Sequence, residues 1–298
     1  MKLKMVGLGK MGLNLALNMK EHGVDVEGFD VNEEARKKAE SENIKTYASL
    51  EDAVSKDEKN VIWVMLPAGK ITNSVLNQLV ELCKANDIVI DGGNSDHRDS
   101  LKTAHLMEEK GIYFFDIGTS GGVYGARHGA SFMCGGDPDV FKNELQEMLE
   151  SIATTNGCLY TGKTGSGHYL KMIHNAMLYG YMQTLGEGFE LLEKSEFDYD
   201  LQNVADSLSK SSVIRGWLLE LAADAFKKDP DLSKIKGVVG ASKTTGWTIE
   251  SACELGVPIP VISTSLMMRL RSEQDDSFSA KVIASLRDEV GGHKAQSK

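Results

Sequence analysis

Cysteine is scarce in this 298-residue chain: Cys83, Cys134, Cys158 and Cys253 stand far apart, with no Cys-x-x-Cys pair. That scatter argues against a disulfide framework and reads as free thiols in a reducing compartment. The seven histidines show no metal-ligand spacing either, so no metal is expected. Positive charge is in deficit, with 33 basic against 43 acidic residues and a net charge of −10. A general role on nucleic acid or an anionic membrane is thereby disfavoured, although a local basic pocket for an anionic substrate is not. No apolar run is long enough to span a bilayer. Met1–Gly7 reads as a strand entering a glycine turn rather than a signal peptide, and the cytoplasm is the expected compartment. There are no internal repeats or low-complexity segments. The composition is that of an ordinary globular chain, 41% hydrophobic and 26% charged, with length for two domains.

The first half alternates short apolar runs with amphipathic stretches. Strands are expected at Leu3–Val6, Val24–Phe29, Val61–Met65, Ile88–Ile90, Tyr113–Ile117 and Phe132–Cys134. Helical stretches include Met11–Glu21, Glu33–Glu42, Ile71–Leu82, Ser100–Glu109 and Asp137–Glu150. Such alternation predicts βαβ units around a mostly parallel sheet. From about Gly167 to Lys194 there is no proline and the pattern is helical throughout. Shorter helical stretches follow at Leu201–Ser209, Trp217–Phe226, Ile249–Leu255, Val261–Ser272 and Ser279–Glu289. The expected architecture is an α/β Rossmann-like N-terminal domain (1–163) and an all-α C-terminal domain (164–298) built on a long central helix, joined near Gly162–Gly165. Lys294–Lys298 reads as a loose tail.

Gly7-Leu8-Gly9-Lys10-Met11-Gly12 follows a strand and opens a helix. In that context the first glycine makes the tight turn, the second admits a pyrophosphate and the third packs helix on strand. The N–H groups of the helix start then hold the phosphates. Asp30 ends the second strand, where an acidic residue accepts hydrogen bonds from an adenosine ribose and repels a 2′-phosphate. No arginine follows immediately; Asn32 does. NAD is therefore expected over NADP, while Asp30 can also cap the helix beginning near Glu33. Leu66 and Pro67 fall at a strand end where the cofactor lies, though Leu66 is equally acceptable as core.

Three more segments fall where strands are expected to end: Asp91–Ser95, Gly118–Gly122 and Gly125–Gly129. Each alone is compatible with a simple turn; strand-end placement in an open α/β sheet favours a ligand site. Asn94 and Ser120 suit hydroxyl groups, and Asn94 is expected to touch the cofactor as well. Further on, Lys171, His174 and Asn175 share one helix face, since positions three and four apart are neighbours. Leu170, Ile173 and Met177 occupy another side, expected to face the core. Taken singly, Lys171 reads as a solvated lysine and His174 as a structural histidine. A nucleotide site plus a convergent polar face points instead to redox chemistry on a polar small molecule.

With these residues in view the chain resembles the 6-phosphogluconate dehydrogenases in their short, NAD-preferring form. The markers are GLGKMGLN from Gly7, DGGNS from Asp91, SGG at 120–122, GSGHYLKMIHN from Gly165, GWT at 246–248 and the run Arg287-Asp288-Glu289-Val290-Gly291-Gly292-His293. The resemblance covers nearly the whole chain. It implies that a hydroxyl carbon β to a carboxylate gives hydride to the nicotinamide, that the β-keto acid loses carbon dioxide, and that the enediol takes a proton to become a ketose. Lys171 is then the base, and it must be neutral when substrate binds; burial and a nearby cationic nicotinamide both lower a lysine pKa. Asn94, Ser120, Gly121, Gly122, His174 and Asn175 would hold the sugar acid, and Tyr179, Thr248 and Arg269 match phosphate contacts. Arg287 and His293 match contacts drawn from a neighbouring subunit, which implies a homodimer or homotetramer.

The chain departs from the family pattern at two places. The family carries a glutamate, the acid that protonates the enediol, where this chain has Leu178, four residues after His174. In Lys243–Thr248, Gly246 stands where a basic phosphate contact is expected, with Lys243 three residues before it. Three readings follow: 6-phosphogluconate with water or another side chain as acid; a related sugar acid with a different distal group; or oxidation without assisted protonation. A nucleotide sensor without catalysis and a short β-hydroxyacid dehydrogenase are the alternatives from other classes.

Overall fold

The computed structural model describes residues 1–292, 294 and 296. In chain order the first elements are β1 (Lys2–Val6), α1 (Lys10–Glu21), β2 (Asp25–Phe29), α2 (Glu33–Ser41), β3 (Lys45–Tyr47), α3 (Leu50–Ala53), β4 (Val61–Val64) and α4 (Lys70–Leu82). Then come β5 (Ile88–Asp91), α5 (His97–Glu108), β6 (Tyr113–Ser120), α6 (Gly122–His128) and β7 (Ala130–Gly135). A short α7 (Pro138–Val140) runs through a π-helical turn at Phe141–Leu145 into α8 (Gln146–Ile152), and β8 (Ala153–Gly162) leads to the long α9 (Ser166–Glu193). The chain continues as α10 (Leu201–Ser211), α11 (Trp217–Lys228), α12 (Lys243–Leu255), α13 (Pro260–Ser272) and α14 (Phe278–Gly291). It divides into two compact units, Met1–Asn175 and Ala176–Lys298.

The first unit is one eight-stranded sheet in the order β3-β2-β1-β4-β5-β6-β7-β8. All neighbours are parallel except β6 and β7. Successive strand residues point to opposite faces. Leu3, Met5, Trp63, Ile88, Ile90, Phe115 and Ile117 accordingly pack on one face, and Val6, Ile62, Val64, Val89 and Phe114 on the other. Burial on both faces explains why β4 and the start of β5 read as unbroken apolar runs.

The six expected strands are all present, and the sheet has two more. These are β3 and β8, the two edges. An edge strand has one neighbour and is partly solvated, so it carries no apolar signature; β8, Ala-Thr-Thr-Asn-Gly-Cys-Leu-Tyr-Thr-Gly, has a single buried residue, Gly157. Gly125–Gly129 is not a strand end: Gly125–His128 closes the helix α6, capped at Gly129. The second unit is helical, as expected, but α12 begins at Lys243 rather than Ile249, so Lys243–Thr248 forms its first turns. Among the described residues no helix is long and apolar enough to cross a membrane.

Candidate active site

The parallel strands β1, β4, β5 and β6 all end at one edge of the sheet, which brings their following loops together. At the end of β1 Gly7 takes φ +99°, a conformation other residues rarely adopt, and a Cβ on Gly12 would collide with the Gly7 carbonyl oxygen. The turn therefore delivers the chain tightly into α1. Gly9 caps that helix without any side chain, and space beside it is open. Its first N–H groups thus present a bare, positively polarised end, the arrangement a pyrophosphate requires. Lys10 is exposed and Met11 half-buried beside it.

The Leu8 side chain is core, set against Gly28, while its N–H donates to Asp30 Oδ2 at 2.7 Å. Asp30 Oδ1 accepts the Asn32 N–H at 2.8 Å. The carboxylate therefore latches the glycine turn to the end of β2. It does not cap α2; Asn32 does, accepting from Glu34 and Ala35. One residue escaped the sequence reading here. Arg36, on the first turn of α2, donates to the Asp30 carbonyl at 2.7 Å and so holds a cation beside the end of β2. The helical spacing Asn32 to Arg36 was the available signal. At the end of β4, Leu66 packs against the core and Pro67 is exposed.

After β5, Asp91 organises the DGGNS turn: its two oxygens accept the Gly93 N–H at 3.0 Å and the Ser95 hydroxyl at 2.6 Å. Asn94 is left exposed between them. Ser120, half-buried, ends β6; Gly121 caps α6 and Gly122 opens it, both with positive φ.

The start of α9 lies on β6, and the face it buries carries polar residues alongside Met172 and Ala176. His168, Lys171 and Asn175 are buried, with Lys171 only 6% exposed. Leu170 and Ile173 are half-buried and Met177 is 55% exposed, the reverse of the expected orientation. The reason is steric: a Cβ on Gly118 would collide with the Lys171 Cβ, and one on Gly167 with the carbonyls of Asp116 and Met133. Only this glycine-lined contact lets the helix sit so close to the strand. Asp116 Oδ1 and Oδ2 accept the N–H groups of Gly165 and His168, both at 2.7 Å. The His168 ring meets the Ser100 hydroxyl at 2.7 Å.

Burial pulls the Lys171 amine down to about 8 from 10.5. Among the described residues it has no hydrogen-bond partner. The ring of His174 lies 3.4 Å from the Ser120 hydroxyl through Nε2 and 3.2 Å from the Asn175 amide oxygen through Nδ1. Burial lowers the His174 pKa, and the Lys171 charge lowers it further. The arrangement is an amine able to lose its proton near neutrality, beside a neutral imidazole, a hydroxyl and an amide. It can accept a proton from a bound alcohol.

Residues 2–162 match the NAD binding domain of 6-phosphogluconate dehydrogenase, and residues 167–296 match the C-terminal domain of the same enzymes. The chain belongs to the 6-phosphogluconate dehydrogenase family. Its members are oxidoreductases, and this family's NAD-binding domain occupies the first half of the chain. The Bacillus subtilis protein YqeC, a provisional 6-phosphogluconate dehydrogenase by name, is 43% identical over 299 residues, covering all of both chains. The NAD(+)-dependent decarboxylating 6-phosphogluconate dehydrogenase of Haloferax volcanii is 38% identical, covering 100% of this chain and 99% of its own. The solved 6-phosphogluconate dehydrogenase of Plasmodium falciparum superposes with a TM-score of 0.82 at 28% identity; the match covers 98% of this chain and 65% of that one.

Of the site residues expected from the 6-phosphogluconate dehydrogenase resemblance, Ser120, Lys171, His174 and Asn175 come together in the first unit. In the second unit Arg269 stacks on the Tyr179 ring, 4.2 Å from its centroid, and donates twice to the Gly240 carbonyl at 2.9 and 2.6 Å. Thr248 is buried and donates to the Thr244 carbonyl at 2.9 Å. Arg287 is exposed on α14. His293 lies outside the described residues. Sequence reasoning missed Asp116 and His168. The signal for Asp116 was an acidic residue inside the apolar run Tyr-Phe-Phe-Asp-Ile, since carboxylates are rarely buried without a partner.

Proposed function

We propose that the protein catalyses NAD-dependent oxidative decarboxylation of 6-phosphogluconate to ribulose 5-phosphate and carbon dioxide, in the cytoplasm. The observation that carries this reading is the desolvated Lys171 beside His174, Ser120 and Asn175. Gly7, Gly9, Gly12 and the Asp30 latch would hold NAD, which when bound supplies the hydride acceptor. Neutral Lys171 takes the proton of the substrate hydroxyl as hydride leaves its carbon. Ser120, His174 and Asn175 orient the hydroxyls, with Asn94, Gly121 and Gly122 along the same edge of the sheet. The β-keto acid then loses its carboxylate as carbon dioxide. Leu178 cannot return a proton to the resulting enediol, so that step falls to water or another side chain; loss of a general acid costs about 10²–10⁴-fold and slows rather than abolishes turnover.

A second reading is a related sugar acid with a different distal group. It is favoured by Gly246 and by the two phosphate-contact candidates already engaged within the chain, Arg269 on Gly240 and Thr248 on Thr244. We further propose a homodimer or homotetramer in which Arg287 and His293 of one copy complete a neighbour's site. Support comes from α14, which exposes Phe278, Val282 and Leu286 four residues apart along one stripe.

The test is nicotinamide reduction with 6-phosphogluconate, with NAD compared against NADP and released carbon dioxide trapped. NAD reduction with stoichiometric carbon dioxide supports the first reading. No turnover, from protein that binds NAD, rejects it, and activity on another sugar acid selects the second.

A further inference from the structure

We propose that Asp116 is the positioning residue for Lys171: its buried carboxylate clamps the first turn of α9 to β6 and thereby sets where the amine stands. The proposal rests on Lys171 being the base and names what holds it there.

The argument begins with a missing cap. A helix ordinarily satisfies its first N–H groups with a Ser, Thr, Asp or Asn at its own N-cap. The residue before α9 is Gly165, which has no side chain and sits at φ +93°. The acceptor comes instead from another element, the Asp116 carboxylate of β6, with one oxygen on the Gly165 N–H and the other on the His168 N–H. Asp116 is fully buried. Burial pushes its pKa up, and the neighbouring His168 ring and the two backbone donors pull the other way. A solvated local cap would stabilise the helix without burying a carboxylate. What the borrowed cap adds is a tie between helix and sheet.

That tie lies in register with the site. Asp116, Gly118 and Ser120 alternate along β6 and share one face of it. They meet α9 in order: Asp116 at Gly165 and His168, Gly118 at Lys171, Ser120 at His174. His168 adds a second tie, to Ser100 on α5. A slip of α9 by one residue moves each side chain about 1.5 Å along the axis and turns it by about 100°. Lys171 would then leave Gly118. Misplacing a reacting group by about 1 Å costs on the order of 10²-fold in rate.

The experiment compares wild type with Asp116→Asn, which keeps the volume but sets an amide NH₂ against a backbone N–H. Turnover is normalised to sites titrated with NADH, and amide hydrogen exchange is followed across residues 165–171. The expected result is kcat lower by on the order of 10²-fold, with KM for NAD unchanged and exchange faster at the start of α9 but not in β1 and α1. Faster exchange with unchanged kcat would make Asp116 a purely structural cap and overturn the proposal, as would unchanged exchange. Should Asp116→Asn not fold, Asp116→Glu keeps both acceptor oxygens but lengthens the arm by one methylene, shifting the clamp at Gly165 and His168. A fall in kcat with intact NAD binding supports the proposal, and an unchanged kcat rejects it. Wild type inactive on every sugar acid tried would reject the functional reading instead, while the exchange measurement still decides whether the clamp exists.

Discussion

In the first unit the central strands are covered on both faces, whereas α14 in the second unit buries none of its residues. Two large apolar clusters flank the sheet; a cluster in the helical unit centres on Ala205, Ala223 and Phe226. Phe278, Val282, Ile283, Leu286 and Val290 are all exposed on α14. A self-sufficient core can carry buried polar groups, because surrounding apolar burial offsets their desolvation. Asp116, His168 and Lys171 are buried in that unit. The helical unit leaves apolar side chains on its surface, among them the stripe along α14.

The strongest way to break this contrast is to remove the amine. Lys171→Met should lower kcat by about 10²–10⁴-fold, the usual worth of a positioned base. NADH binding, read by fluorescence titration, should stay within about twofold, because the glycine turn and Asp30 are untouched. Retained turnover would detach the chemistry from the buried polar face.

The second prediction concerns the exposed stripe. Leu286→Asp places a charge among Val282, Ile283 and Val290 on α14. If that stripe is covered by a second copy, sedimentation should show a smaller species than wild type. The KM for the sugar acid should rise by on the order of tenfold, the effect of about 1.4 kcal/mol, with NAD binding intact. An unchanged mass and KM would show that α14 faces solvent and that the site is complete within one chain.

The same contrast explains what was legible in the sequence. Central strands covered on both faces announce themselves as apolar runs, and all six were found. The edges β3 and β8 were not, because half-solvated strands mix polar and apolar residues without a period. The cofactor turn was legible because a backbone requirement dictates residue type at Gly7 and Gly12. The polar trio of α9 was legible from spacing, but its orientation was not. Periodicity shows that two faces differ; it does not show which one a neighbour covers. Here the neighbour is Gly118, and the absence of a side chain there leaves no hydrophobic trace. Asp116 was missed for a related reason: its partners are backbone N–H groups, and no residue type encodes those.

The smallest effect tests how dry the first unit keeps its amine. Burial brings Lys171 down to about 8 from 10.5. The base is the neutral form, so below pH 8 the active fraction falls about tenfold per unit, and kcat/KM should rise roughly fivefold from pH 7 to 8 before levelling. His174, lowered by burial and by the Lys171 charge, is already neutral across this limb and adds no second step. Stability moves in the same direction. Between about 8 and 10.5 the unfolded chain holds the lysine proton that the folded chain has released, so the penalty of burying the ammonium is relieved as pH rises through that window. A pH profile of kcat/KM decides the matter. An acid limb near 8, absent from the residual activity of Lys171→Met, ties the profile to this amine. A limb at 10 or above would mean that water reaches Lys171 in the working enzyme and that the first unit does not keep its amine dry.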